Sequence, residues 1–325
     1  MNHLKMTRRT TMGKTKTEDR LLMIVDGSNL AHRAFHKFRN LSYKGEPTGL
    51  MYGFLRILQS YIIRFRPTYV LVTFDTHQSK SSNFRNELLG SYKEHRTRDL
   101  SMDYESFNKQ TTLLKKILRY LNIPVIWDKV GLGHESDDYI GYFAMKHTGK
   151  VVIISSDKDF CQLLSSRVKI LNPSKETLIV SKTCKDIMGY SPEECVDYLS
   201  LLGDKSDDIP GYKGMGEKNI RKFLDQFGSI KAFLEDEEAS YPKIDREAME
   251  SVYKRNLELI DISVALTHHP LKKIPIYYPK KKDPEILKRR LKLLFSKYGL
   301  LSFMSEDFLQ PFNKLLTKRT WHELT

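Results

Sequence analysis

LLMIVD (21–26), YVLVTFD (69–75) and VVIISSD (151–157) decide the fold. Each is a short apolar run, rich in valine, isoleucine or leucine, that meets an aspartate as it ends. Longer segments with apolar residues three and four apart separate them. Short strands without polar alternation, joined by helices, read as a parallel α/β sheet buried on both faces. IPVIWD (123–128) reads as a fourth, weaker strand. Helices are expected over 49–65, 104–121, 136–146 and 192–202.

In open parallel sheets the ligand crevice lies beyond the carboxyl ends of the strands, so Asp26, Asp75 and Asp157 should converge on one edge. Like charges brought close raise one another's pKa values unless cations compensate, so such a cluster implies bound metal. Oxygen ligands without clustered histidine or cysteine favour magnesium or manganese over zinc. Cys161, Cys184 and Cys195 show no CxxC spacing, so neither a disulfide framework nor a zinc site is indicated.

More acids follow the same pattern. Glu135, Asp137 and Asp138 in GHESDDYIG open a predicted helix, where the dipole favours negative charge. Asp157 and Asp159 in SSDKDF flank one lysine past a strand end. Asp204 and Asp207 in LLGDKSDD are expected to close a helix, at the dipole end that disfavours them. Taken singly, each pair is an ordinary cap or solvated turn. Together, in a basic protein, they suit phosphodiester hydrolysis by two metals, one activating water and the other stabilising the leaving oxygen. A Ser/His/Asp mechanism finds no GxSxG motif and no grouped histidines beyond His268 and His269.

The 325 residues, 40% of them hydrophobic, can bury a sizeable core, and the net charge of +14 favours a polyanionic partner, the plainer alternative being a well-solvated surface. Between Asp75 and Tyr104 lies a basic stretch with Lys80, Arg85, Lys93, Arg96 and Arg98, long for a connection in a compact domain. After about Ser191 the pattern turns to helices and short glycine turns, with no further β run until IPIYY (274–278). IPGYKGMGEKNIRKFL (209–224) sets Gly211, Gly214 and Gly216 before a helix, with Lys213 and Lys218 alongside. Such a backbone amide nest can hold a phosphate, the plainer alternative being a tight interhelical turn. Residues 1–20 are basic and read as a flexible tail, with an organelle presequence as the alternative. Neither a membrane span nor a secretory signal is read from the sequence, so a cytoplasmic protein is expected.

VDGSNLAHRAFH, GEPTGLMYGF, FDTHQSKSSNFR, YKEHR, ESDDYI, SSDKDFCQLL and GDKSDDIPGYKGMGEKNI occur in this order. In these motifs the chain resembles the 5′-nuclease (flap endonuclease) family, which includes the 5′-nuclease domain of bacterial DNA polymerase I and stand-alone bacterial and phage relatives. The resemblance covers about residues 21–305. It implies a PIN-like (resolvase-like) α/β core over 21–190 with a helical arch near 76–104. A mostly helical helix-hairpin-helix subdomain over 191–305 and a C-terminal extension over 306–325 would follow.

For the site, the resemblance implies that Asp26, Asp75, Glu135 and Asp137 hold a first Mg2+, with Mn2+ able to substitute. Asp157, Asp159 and Asp207 would surround a second, while Asp138 and Asp204 act through water. Lys93, Arg96 and Arg33 would stabilise charge at the scissile phosphate. Arg85 and the glycine hairpin, Gly211, Lys213, Gly214, Gly216 and Lys218, would contact DNA, and the hairpin is similar to those that hold K+. The implied substrates are 5′-flap or branched duplexes and RNA–DNA primer junctions. A monomer that acts alone or beside a separate DNA polymerase is expected. Asp208 stands where the family usually has asparagine, and Ser136 where it usually has alanine. Two other readings are a PIN-type ribonuclease, which needs neither arch nor hairpin, and a catalytically silent duplex-binding protein, which gains nothing from so many acids near phosphates.

Overall fold

The computed structural model describes residues 20–75, 83–95, 102–128, 131–278 and 283–317. A seven-stranded sheet runs in the order Ile276–Tyr277, Val125–Trp127, Tyr69–Phe74, Leu21–Asp26, Lys150–Ile154, Val168–Asn172, Thr177–Ile179. The middle five strands are parallel and the two outermost pair antiparallel to their neighbours. Leu21–Asp26 is central. From it the chain builds outward through Tyr69–Phe74 to Val125–Trp127, then crosses back to Lys150–Ile154 on the other side. That reversal opens a crevice at the strand's carboxyl end, where ligands of such sheets bind.

Side chains of the central strand alternate between two cores, as a strand's two-residue period requires. Leu22 and Ile24 face the core shared with helix Ser136–Lys146 and the helices from Cys195 to His268. Met23 and Val25 face helices Gly27–Lys37, Gly49–Phe65, Tyr104–Tyr120 and Pro284–Lys297. Thr73 ends opposite Asp26, and Val25 pairs with both Val72 and Ile154. The register therefore sets three strand ends side by side.

The expected helices over 49–65 and 136–146 form with those limits, the 104–121 helix stops at Tyr120, and the 192–202 helix starts at Cys195. The fourth strand covers only Val125–Trp127, and IPIYY contributes only Ile276–Tyr277 at the sheet edge. Two strands had no clear signal. VKILN carries a lysine and meets no strand-end acid, and TLI is too short to read alone, yet both complete the sheet. Helix Gly27–Lys37 begins with no linker after the first strand. There Gly27 passes so close to the neighbouring strand that a Cβ would lie 2.6 Å from the Thr73 carbonyl oxygen.

Residues expected as a C-terminal extension are part of the second core. Phe308 and Phe312 of helix Glu306–Thr317 are buried with Phe295 and Phe303. Their spacing of four puts both on one helix face. Among the described residues no helix is long and apolar enough to cross a membrane.

Candidate active site

Asp26 ends the central strand and caps the helix after it. One carboxylate oxygen accepts the Asn29 N–H at 3.0 Å and the other accepts the Ser155 hydroxyl at 2.8 Å. Burial, with added repulsion from Asp75 and Asp157, still pushes Asp26 up to about 7. Asp75, exposed one residue past its strand, donates its N–H to Ser28 Oγ at 2.8 Å and accepts the Ser136 N–H at 3.3 Å. Ser136 donates its hydroxyl to Thr73 at 2.7 Å and so ties the start of helix Ser136–Lys146 to a strand end.

Asp137 lies in the first turn of helix Ser136–Lys146. Burial and then the charges of Asp157, Asp75 and Asp26 hold its pKa well above the usual carboxylate range. On the other side of the crevice, the Asp157 carboxylate accepts the Asp159 N–H at 2.9 Å. Burial, with Asp207 and Asp204, raises Asp157, while burial and the Asp157 charge raise Asp159 further. Asp159 Oδ1 is buried without a hydrogen-bond partner among the described residues.

Other acids in the same region have protein cations instead. Glu135 accepts from Asn83 Nδ2 at 3.0 Å, Tyr92 OH at 2.9 Å and Lys93 Nζ at 2.8 and 2.7 Å. Burial pushes Glu135 up, but Lys93 and Arg85 outweigh it and leave the carboxylate below its ordinary range. Asp204 pairs with Lys158 at 3.1 Å and accepts from Ser206, which likewise outweighs burial. Strand ends, one helix start and one hairpin thus face a common crevice. Among the described residues no group of three or more acids, histidines or cysteines is drawn up around one point as a finished metal cage.

Residues 21–191 match the family described as 5′-3′ exonuclease, N-terminal resolvase-like domain, and residues 190–276 match its C-terminal SAM fold. A 5′-3′ exonuclease of Aquifex aeolicus is 33% identical over 302 residues, covering 91% of this chain and 99% of that one. The chain belongs to the 5′-3′ exonuclease family. Thermostable DNA polymerase I of Thermus aquaticus is 31% identical over 304 residues, 92% of this chain but only 34% of the polymerase. Among solved structures, bacteriophage T5 5′-exonuclease with zinc bound superposes with a TM-score of 0.63 at 20% identity, covering 91% of this chain and 98% of that one. A bacteriophage T5 flap endonuclease in complex with DNA and metal ions gives 0.62 at 19%, covering 92% and 100%. At that identity the likeness concerns the fold.

In this chain, two residues expected at the metals or on DNA form a buried pair instead. Arg85 is only 4% exposed and Asp138 is 0% exposed. The guanidinium donates to both Asp138 oxygens at 2.9 and 2.8 Å, and its Nε donates to the Leu259 carbonyl at 3.2 Å. Asp138 also accepts the Glu135 N–H at 2.9 Å, so it braces the helix start rather than facing the crevice. Arg85 is correspondingly not at a DNA-contacting surface. A fork of donors that matches a carboxylate is satisfied by the nearest buried one.

Asp204 and Asp207 do not close a helix. The helix ends at Leu202, Gly203 turns with φ of 75°, and Asp204 pairs with Ile209 in a short antiparallel ladder. The acids therefore sit in a hairpin that escapes the unfavourable dipole end. The neighbouring Asp208, at φ 57°, accepts the His95 N–H at 2.8 Å, while Lys93 N–H donates to the Asp207 carbonyl at 3.0 Å. Residues 91–95 are thereby docked on the acidic hairpin.

The glycine hairpin divides into two roles. Gly211 lies against the backbone of Leu201 and Leu202, where a Cβ would overlap, whereas Gly214, at φ 89°, and Gly216 face open space. Gly216 opens helix Glu217–Phe227 with no side-chain cap, and Lys213 and Lys218 beside it are exposed. Arg33 makes no hydrogen bond or ion pair with the acidic cluster among the described residues, its charge being felt instead at Tyr61. Arg96 and residues 76–82 and 96–101 of the expected arch lie outside the described residues. Asn83, Tyr92, Ser155 and Lys158 were not singled out, although each lies in or beside a quoted motif. Neutral hydroxyls and amides carry no pattern of charge or period by which a sequence exposes them.

Proposed function

We propose that this chain is a divalent-metal-dependent, structure-specific 5′ nuclease that cleaves 5′ flaps and RNA primers at their junction with duplex DNA. The observation that carries the reading is the set Asp26, Asp137, Asp157 and Asp159, which burial and neighbouring acids raise by more than Lys93 and Lys158 offset. The buried, unpartnered Asp159 Oδ1 fits the same account, because a buried carboxylate oxygen is costly unless something binds it. An all-oxygen donor set suits Mg2+ or Mn2+.

In this reading Asp26, Asp75, Glu135 and Asp137 hold one ion and Asp157, Asp159 and Asp207 another. Such a pair of ions supplies an activated water and stabilises the departing oxygen. The chain itself positions the strand. Gly214, Gly216, Lys213 and Lys218 grip the duplex backbone through amides and point charges, with K+ in the turn. Lys93, with Arg33 and Arg96, meets the charge that develops on the phosphate. Asp138 and Arg85 hold the frame on which Glu135 is mounted, and Asp204 acts through Lys158 and Ser206. The enzyme works as a monomer, supplied with its flaps by a separate polymerase.

Purified protein is expected to cut a labelled 5′-flap duplex near the junction in Mg2+ and to leave it intact in excess chelator. Uncut flap after long incubation with Mg2+ and Mn2+ would sink the reading. Replacing both Lys213 and Lys218 with alanine should weaken duplex binding without regard to sequence. It should also shallow the salt dependence by about two counterions, since each backbone lysine contributes roughly one. An unchanged salt slope would remove the hairpin from the DNA interface.

A further inference from the structure

Glu135 is already fully engaged. An ionised carboxylate offers about four acceptor sites. Asn83 and Tyr92 each donate to one oxygen of Glu135, and Lys93 Nζ approaches both. The same ammonium lies 3.5 Å from Asp207 Oδ2, with the lysine side chain only 20% exposed. Its backbone is fixed there too, at φ 54°, by the hydrogen bond from Lys93 N–H to the Asp207 carbonyl. Lys93 therefore bridges an acid of the first proposed metal group and an acid of the second.

A hard cation and an ammonium compete for the same oxygens. Two positive charges within about 4 Å repel strongly at the effective dielectric of a protein surface. We propose that Lys93 is the resident counter-cation of Glu135 and Asp207, and that a divalent ion must displace its ammonium before Glu135 can become a ligand. The proposal rests on the metal-dependent reading above. Displacement frees the ammonium that the phosphate needs, so loading the ion and releasing Lys93 are one event. By linkage, whatever draws Lys93 toward a phosphate strengthens ion binding to the same degree.

The test is calorimetric titration of the full chain with Mn2+, without DNA, for wild type, Lys93→Met and Lys93→Arg, each checked by thermal melting. Lys93→Met should bind Mn2+ about tenfold more tightly, because no ammonium has to leave. It should melt below wild type without metal and regain the difference in Mn2+, while Lys93→Arg stays near wild type in both. A side chain that only packs would lower melting without tightening the ion. Folded Lys93→Met with wild-type or weaker Mn2+ affinity overturns the counter-cation role and leaves the metal-dependent reading standing. Absence of Mn2+ binding in all three proteins overturns both.

Discussion

Asp157→Asn should lower flap cleavage by about a thousandfold or more while leaving the protein folded and able to hold a flap duplex in Ca2+. The side chain accepts the Asp159 N–H, and asparagine Oδ1 can accept it equally, so the local turn survives. What disappears is one negative charge from a set that repels itself. Asp157 is among the charges that raise Asp137 and Asp159, so metal-free Asp157→Asn should melt at or above the wild-type temperature. Loss of an oxygen donor to a catalytic cation removes stabilisation that matters at the transition state, and the effect falls on kcat more than on binding. Single-turnover cleavage in Mg2+ and a binding titration in Ca2+ separate the two. Equal losses of cleavage and binding would point to a folding defect and withdraw Asp157 from the chemistry.

Arg85→Ala should cost about 3–5 kcal/mol of folding stability, because it leaves Asp138 charged, buried and unpaired. Burial alone raises Asp138, and Arg85 more than reverses this, holding the carboxyl well below its ordinary range. The sign follows from that depression. The stability is present above the pKa of an unfolded aspartate and is lost only as pH falls through the much lower folded value, deep in acid. A double replacement, Arg85→Met with Asp138→Leu, removes both charges and should recover most of the loss. Denaturant unfolding measures all three proteins. If Arg85→Ala unfolds like wild type but binds flap duplex poorly, the arginine leaves its buried partner to meet DNA, and the original surface expectation returns.

Three strand-end aspartates were legible because they combine two signals, a short apolar run and an acid at its carboxyl end. The acids of ESDDYI and SSDKDF were legible as motifs, and so was the glycine hairpin. Their partners were not. Asp138 and Asp137 are adjacent and chemically identical, yet one faces a buried guanidinium 53 positions away and the other faces the crevice. A helix turn rotates neighbours by about 100°, and only the packed surroundings say which side holds a cation. The strands Val168–Asn172 and Thr177–Ile179 escaped for a similar reason, since a short run gains its stability from the strand beside it.

The sequence by itself determined the α/β class, the central strands, the family and the kind of chemistry, because periodicity, strand-end acids and motif order are local properties of the chain. Tertiary structure alone decided which acids are paired with protein cations and which are not. It turned Arg85 inward, docked residues 91–95 on the Asp207–Asp208 hairpin and set Lys93 across Glu135 and Asp207. Charge pairing depends on distances of a few ångströms between residues far apart in the chain, and those distances exist only after strands have been added on both sides of Leu21–Asp26.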